Sequence, residues 1–568
     1  MARHHTRRQS NIRSNQGVTA DGNVTLIKDG GGLPHDHASF PKRRKFLAPR
    51  ICRARRGPEG KAPVEVNINT TNKLSQHSQH ASDQTGLGEY RIFMQNRPQS
   101  FATNRGSITG LVSPSGSCEF LGIPFATAKR LENPVDISAW DDGFDATAYG
   151  PICPQTPGML EMALNMDASH MKEECLNLNV YTPRNPTEGM SLPVLFWIHG
   201  GAYTNGAGSV AWYHGASLAS RETVVVTINY RLGPLGFLGD GNYGTLDMLS
   251  ALRWVQRNIS AFGGDEKNVT IFGESAGGSA VVSLLASPEI EGLAHKAWAM
   301  SPSIGQLRNK PRALELEKQF LELAGLSSIA DVKSMSIEDI LATQQKQMTS
   351  PTKAFDFYAP TAGGASLSDD ILASAAQSPI PLVVGTNRDE NKLWSTFDPS
   401  LADADEARWK TFTDETFGAR GQQARDAYQA LRPGESAKDL MSAVSTDTGF
   451  RQPAQRLCEN RVSSSTPTWM YWFTWPTPAF GGAVGCCHAL DIPFAFDNLD
   501  AEGVLMMTGD GAERAGIADR FASEIVAFAT HSHPSWSQFN VDDRPTLVID
   551  ANTHLAQDPE PEIRLLFV

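Results

Sequence analysis

The sequence predicts an α/β fold, a large mixed and mostly parallel central sheet flanked by helices, and three observations carry that prediction. Short runs rich in β-branched and aromatic residues end in polar or glycine-rich loops. Longer stretches with apolar residues three and four positions apart lie between them. The short runs are apolar along their length instead of alternating, as expected of parallel strands covered on both faces. With 568 residues, 40% hydrophobic and 20% charged, the chain can bury a core of that size.

The chain opens on a basic segment. Residues 1–62 hold 14 Lys and Arg against 4 Asp and Glu, a net of +10, so the rest carries −22 of the total −12. Rich in Arg, Gly and His, residues 1–95 read as a solvated, disordered extension. "PKRRK" (41–45) within it resembles a nuclear import signal. One domain is expected over 96–568. Its acidic balance argues against nucleic acid as the main partner, because phosphate binding needs clustered positive charge. No run reaches the roughly 18 apolar residues that span a bilayer, and no apolar leader is readable. The chain as written therefore reads as intracellular.

"RGSITGLVSPSGSCEFLGIPFA" (105–126) alternates apolar residues with Gly, Pro and Ser and predicts a β-hairpin. "PVLFWIHGG" (193–201), "TVVVTINYR" (223–231), "NVTIFGES" (268–275) and "PLVVGTNRDE" (381–390) predict buried strands running into loops. "LDMLSALRWVQRNISAF" (246–262) predicts a helix between two of them. In such sheets functional groups collect beyond the C-terminal ends of the strands.

The third of these strands leads into "GESAGGSAVVSLLAS". G-x-S-x-G alone arises by chance roughly 0.3 times in a chain of this composition, so its surroundings decide. A strand before it and an apolar helix of small residues after it give a strand–turn–helix, with Ser275 on a sharp turn as candidate nucleophile. That turn presses the residues two before and two after the serine together, leaving Gly273 and Gly277 no room for a Cβ. Ala276 offers its N–H at the helix start. "HGGAY" (199–203) follows another strand and offers the N–H groups of Gly201 and Ala202 as further oxyanion donors.

Five histidines follow the serine. His531 and His533 lack the further ligands of a metal site and read as solvent-exposed. His295 lies at an element edge and His554 near the chain end. His488, in the glycine-flanked loop "GAVGCCHALDIPFAF", is the candidate base. Asp389 and Glu390 both suit the orienting acid on the residues alone. The chain order Ser, acid, His is that of α/β-hydrolases.

"FGGDEKNVTIFGESAGG" (262–278) resembles the nucleophile signature of the type-B carboxylesterase/lipase family, which includes cholinesterases. The likeness extends through "FLGIPFA" (120–126), "EECLNLNVYTP" (173–183), "INYRLGPLGFL" (228–238), "GTNRDEN" and "HALDIPFAFDNLD" (488–500), in the family's order. The last looks closer to para-nitrobenzyl esterase-type carboxylesterases than to cholinesterases. The resemblance implies Ser275 as nucleophile, Glu390 as acid and His488 as base, and a carboxylic ester as substrate. No cofactor or metal is implied. It also implies secretion as the alternative compartment and a disulfide between Cys153 and Cys175, worth roughly 3 kcal/mol for a loop of about 23 residues. Departures are "EECLN" where the family has Glu-Asp-Cys-Leu and an aromatic, a shortened "TAKRLENPVDISAW", and an N-terminal segment without counterpart.

Within the Cys153–Cys175 loop, Met159, Met162 and Met166 recur at helical spacing with Leu160 and Leu164. In family lipases that loop is a lid, so residues 159–171 are a candidate flap. Cys486 and Cys487 beside His488 read as buried, inert thiols. Asn258 and Asn268 lie in N-x-S/T sequons, which matter in a secreted chain. Acyl transfer or lactone opening by the same serine, and a non-catalytic interaction protein of the same fold, are the rival readings.

Overall fold

β1 (Arg97–Thr103), β2 (Gly106–Val112) and β3 (Cys118–Pro124) form an antiparallel meander, with the β2–β3 hairpin where the punctuation placed it. The computed structural model describes residues 96–568 apart from 159–160, 163, 165, 187–189 and 350–355. The basic extension and Cys52 lie outside the described residues.

β4 (Phe144–Asp145) pairs with β2, and β5 (Asn177–Thr182) pairs antiparallel with β3. Then come β6 (Leu192–Ile198), β7 (Val224–Ile228), β8 (Gly264–Glu274), β9 (Lys296–Met300), β10 (Leu382–Asn387), β11 (Thr468–Phe473), β12 (Pro545–Ile549) and β13 (His554–Gln557). The 13 strands form one sheet, in the order β1-β2-β3-β5-β7-β6-β8-β9-β10-β11-β12-β13 with β4 beside β2. Every pairing from β7 to β12 is parallel, and those at the two ends of this path are antiparallel.

The continuous apolar runs have the predicted cause. Val194, Phe196 and Ile198 of β6 enter one core, while Leu195 and Trp197 enter the other. β7 and β8 divide in the same way, so alternate side chains are buried on opposite faces. α1 (Tyr243–Asn258) and α2 (Ala276–Leu285) supply the first core with Leu249, Leu252, Val281 and Leu284. The predicted helix thus ends at Asn258 and its last residues turn tighter, as a 3-10 segment over Ile259–Phe262. Between β10 and β11 a helical segment is inserted, a single turn over Lys392–Ser395 and then four longer helices: α3 (Glu406–Phe417), α4 (Gly421–Leu431), α5 (Ala437–Thr446) and α6 (Gln452–Ser463). Trp409, Tyr428, Leu440 and Val444 build a small core of their own there, closed by Ile563 and Leu566. α7 (Arg514–His531) covers the second face with Phe521, Ile525 and Phe528.

Cys153 and Cys175, the pair that the family resemblance joins, are both buried and neighbours in the fold. The two lie in hydrogen-bonding contact, and that contact with burial raises Cys175 well above the usual thiol range. Cys153 Sγ also accepts the Leu232 N–H at 3.3 Å. Of the two sequons, Asn258 is buried and its side-chain amide donates to Ser138 O and Trp254 O, whereas Asn268 is half-buried and its side-chain carbonyl accepts from Lys296. His531 and His533 are exposed. Among the described residues no helix is long and apolar enough to cross a membrane.

Candidate active site

Parallel register brings the C-terminal ends of three strands level: Gly273 of β8 pairs with Ile198 of β6 and with Ala299 of β9. Ser275 stands between β8 and α2 at φ 59° and ψ −121°, outside the regions an L-residue favours. Its N–H donates to Met300 O at 3.0 Å. The flanking glycines are required sterically. A Cβ on Gly273 would lie 2.7 Å from Gly277 C, and one on Gly277 would lie 2.0 Å from Ile198 O. The strained turn is thus locked by the backbone of its neighbours, and α2 starts at once with Ala276.

The loop after β6 abuts this turn, since a Cβ on Gly200 would sit 3.0 Å from Ser275 Cβ. Gly201, Ala202 and Tyr203 follow at φ 105°, 52° and 60°, three successive left-handed residues. Thr204 N–H and Asn205 N–H close the turn on Gly201 O, each at 2.9 Å. Such a run turns successive N–H groups to one side, the arrangement that binds anions. His199 braces the loop: its Nδ1 lies 2.8 Å from Gly200 O, and its ring stacks on Tyr230, whose hydroxyl donates to His199 O at 2.8 Å. Burial drops its pKa to about 4, so this imidazole is neutral.

Of the two candidate acids, Glu390 faces the histidine. His488 Nδ1 lies 2.6 Å from Glu390 Oε2, while Glu390 Oε1 accepts the Asn387 N–H at 2.7 Å. Asp389 instead pairs with Arg432. His488 is 1% exposed and Glu390 0%. Trp394 and Phe450 wall the imidazole, each ring centroid 5.0 Å from it and their planes 7° apart. A buried imidazole flanked by aromatic rings lies in a low dielectric, where its charge interactions are strong.

Two further carboxyls escaped sequence reasoning. Glu274 Oε1 lies 3.2 Å from His488 Nε2, and no hydrogen bond joins Ser275 Oγ to that nitrogen among the described residues. Burial raises Glu274 to about 8. Burial opposes charge on His488 too, but Glu274 and Glu390 outweigh it and raise its pKa to about 9. Asp491, raised to about 7 by burial, receives Asn387 Nδ2 at 3.2 Å and Tyr471 Oη at 3.3 Å. The signal for Glu274 was in plain sight, the x before the serine in G-x-S-x-G, but its orientation depends on the distant His488. Of the candidate flap, Met162 is 68% exposed and Leu164 is buried, whereas Met159 and Leu160 lie outside the described residues.

A serine on a strained strand–turn–helix above a mostly parallel sheet defines the class: this is the α/β-hydrolase fold. The carboxylesterase family's sequence model matches residues 97–563. The chain is 34% identical over 495 residues to para-nitrobenzyl esterase of Bacillus subtilis (strain 168), covering 82% of this chain and 98% of that one. It is 34% identical over 463 residues to fumonisin B1 esterase of Sphingopyxis macrogoltabida, covering 76% and 82%. Among solved structures, a Geobacillus stearothermophilus carboxylesterase superposes with a TM-score of 0.72 at 30% identity, over 83% of this chain and all of that one. The chain therefore belongs to the carboxylesterase family and is a carboxylesterase-type serine hydrolase.

Proposed function

We propose that ester hydrolysis proceeds through an acyl-enzyme on Ser275, with His488 as general base and Glu390 as its orienting acid. The 2.6 Å contact between buried Glu390 and His488, beside a serine held at φ 59°, carries this reading. His488 takes the Ser275 proton as Oγ attacks the ester carbonyl, and Glu390 fixes the imidazole tautomer and stabilises the imidazolium. The N–H groups of Gly201, Ala202 and Ala276 receive the oxyanion, where loss of one donor costs on the order of 3 kcal/mol. His488 then protonates the departing alcohol, and water repeats the sequence on the acyl-enzyme. Relatives named para-nitrobenzyl esterase and fumonisin B1 esterase support a small organic ester as substrate.

Ser275→Ala is expected to abolish p-nitrophenyl ester turnover and covalent labelling by an organophosphonate, with the unfolding midpoint retained. Turnover surviving this change would overturn the assignment.

A further inference from the structure

The loop carrying Glu390 and the loop carrying His488 are tied by a second carboxylate. Asp389 is buried; its N–H donates to Cys486 O at 2.9 Å, and its Oδ2 accepts the Cys486 N–H at 3.1 Å. The residue two positions before the histidine is therefore gripped through both of its backbone polar groups. Asp389 Oδ1 takes the third contact, Arg432 Nη1 at 2.8 Å, in a pair whose side chains are only 8% and 4% exposed. Arg432 caps the C-terminus of α4, and its Nη2 reaches Arg388 O at 3.5 Å. Gly485, at φ 55°, makes the close approach possible, because a Cβ there would lie 2.7 Å from Asp389 Oδ2. Burial disfavours the Asp389 carboxylate, but Arg432 and Lys392 outweigh it and keep it ionised.

A buried ion pair of this kind adds little net stability, because desolvation of both charges offsets their attraction. Its contribution here is directional. We propose that the Asp389–Arg432 pair is a positioning device for the base: it holds the Cys486–His488 segment against the Glu390 loop and makes the helical insertion part of the active-site support. This rests on His488 and Glu390 acting as base and acid. Among the described residues Asp389 makes no hydrogen bond or ion pair with the imidazole, so its effect falls on the chemical step and not on ester binding.

The test compares Asp389→Asn, Arg432→Met and Arg432→Lys in the full chain, with kcat expressed per phosphonate-titrated site. The first two are expected to lower kcat on the order of tenfold to a hundredfold while KM stays within about twofold. Arg432→Lys, which keeps the charge, is expected to restore most of kcat. Where a single variant does not fold, the double variant Asp389→Asn/Arg432→Met, which leaves no unpaired buried charge, carries the same expectation. An unchanged kcat per site, a rise in KM alone, or a lysine variant no better than methionine overturns the proposal. Turnover by Ser275→Ala would strike the underlying triad instead and is scored separately.

Discussion

The turn of the proposed nucleophile and the proposed acid–base pair are built by opposite means. Around Ser275 everything needed is contiguous: a strand, two glycines with no room for a Cβ, and a helix of small residues, within residues 264–285. Glu390 and His488 are 98 residues apart and meet through buried charges, with Asn387, Asp389 and Asp491 holding the loops. A short-range steric lock tolerates no change in volume. A long-range electrostatic assembly tolerates volume but not loss of charge.

The largest effect is expected where the lock is tightest. Gly277→Ala drives a methyl into Ile198 O and is expected to lower stability by about 3 kcal/mol and remove activity, read from the denaturation midpoint and from titration of active serine. An unaltered midpoint with full activity would dissolve the distinction between the two regions. Next comes Glu390→Gln, which keeps shape and removes charge: kcat is expected to fall by roughly 10⁴-fold with little change in midpoint. Asp389→Asn should cost far less, and an equal loss at both positions would blur the line between orienting acid and positioning residue.

A subtler expectation concerns pH. As the proposed base, His488 must be neutral to accept the serine proton, and its neighbouring carboxylates raise its pKa to about 9 against burial, so the acidic limb of kcat/KM should lie above the 6.5 of an ordinary histidine. Glu274→Gln removes a group that favours imidazolium and should shift that limb to lower pH. A shift to higher pH, or none, would show that Glu274 is not coupled to the base. The smallest effect is expected at the wall: Phe450→Ala admits water beside the imidazole and should reduce kcat by a few-fold, measurable with the same ester.

These contrasts also explain what was legible in the sequence. β6, β7, β8 and β10 announced themselves because burial on both faces leaves an uninterrupted apolar run, and the serine turn because its glycines are spaced by local sterics. The choice between Asp389 and Glu390 was not readable from neighbouring residues, since it depends on which carboxylate finds Arg432 and which finds His488. Family resemblance pointed to Glu390, the carboxylate that faces His488, and paired Cys153 with Cys175, which lie in contact. Adjacency follows from the fold; oxidation follows from surroundings that a sequence does not carry. Glu274 and His199 were overlooked because each sits inside a motif whose other members drew the attention.

The burial of the base has a consequence for the traffic of small molecules. His488 and Glu390 are sealed from solvent, whereas Ser275 is partly open. With the imidazole buried, the departing alcohol and the incoming water of the proposed cycle would use the serine side in turn. If an acyl-enzyme forms on Ser275 as proposed, water and any competing alcohol share that one approach to it.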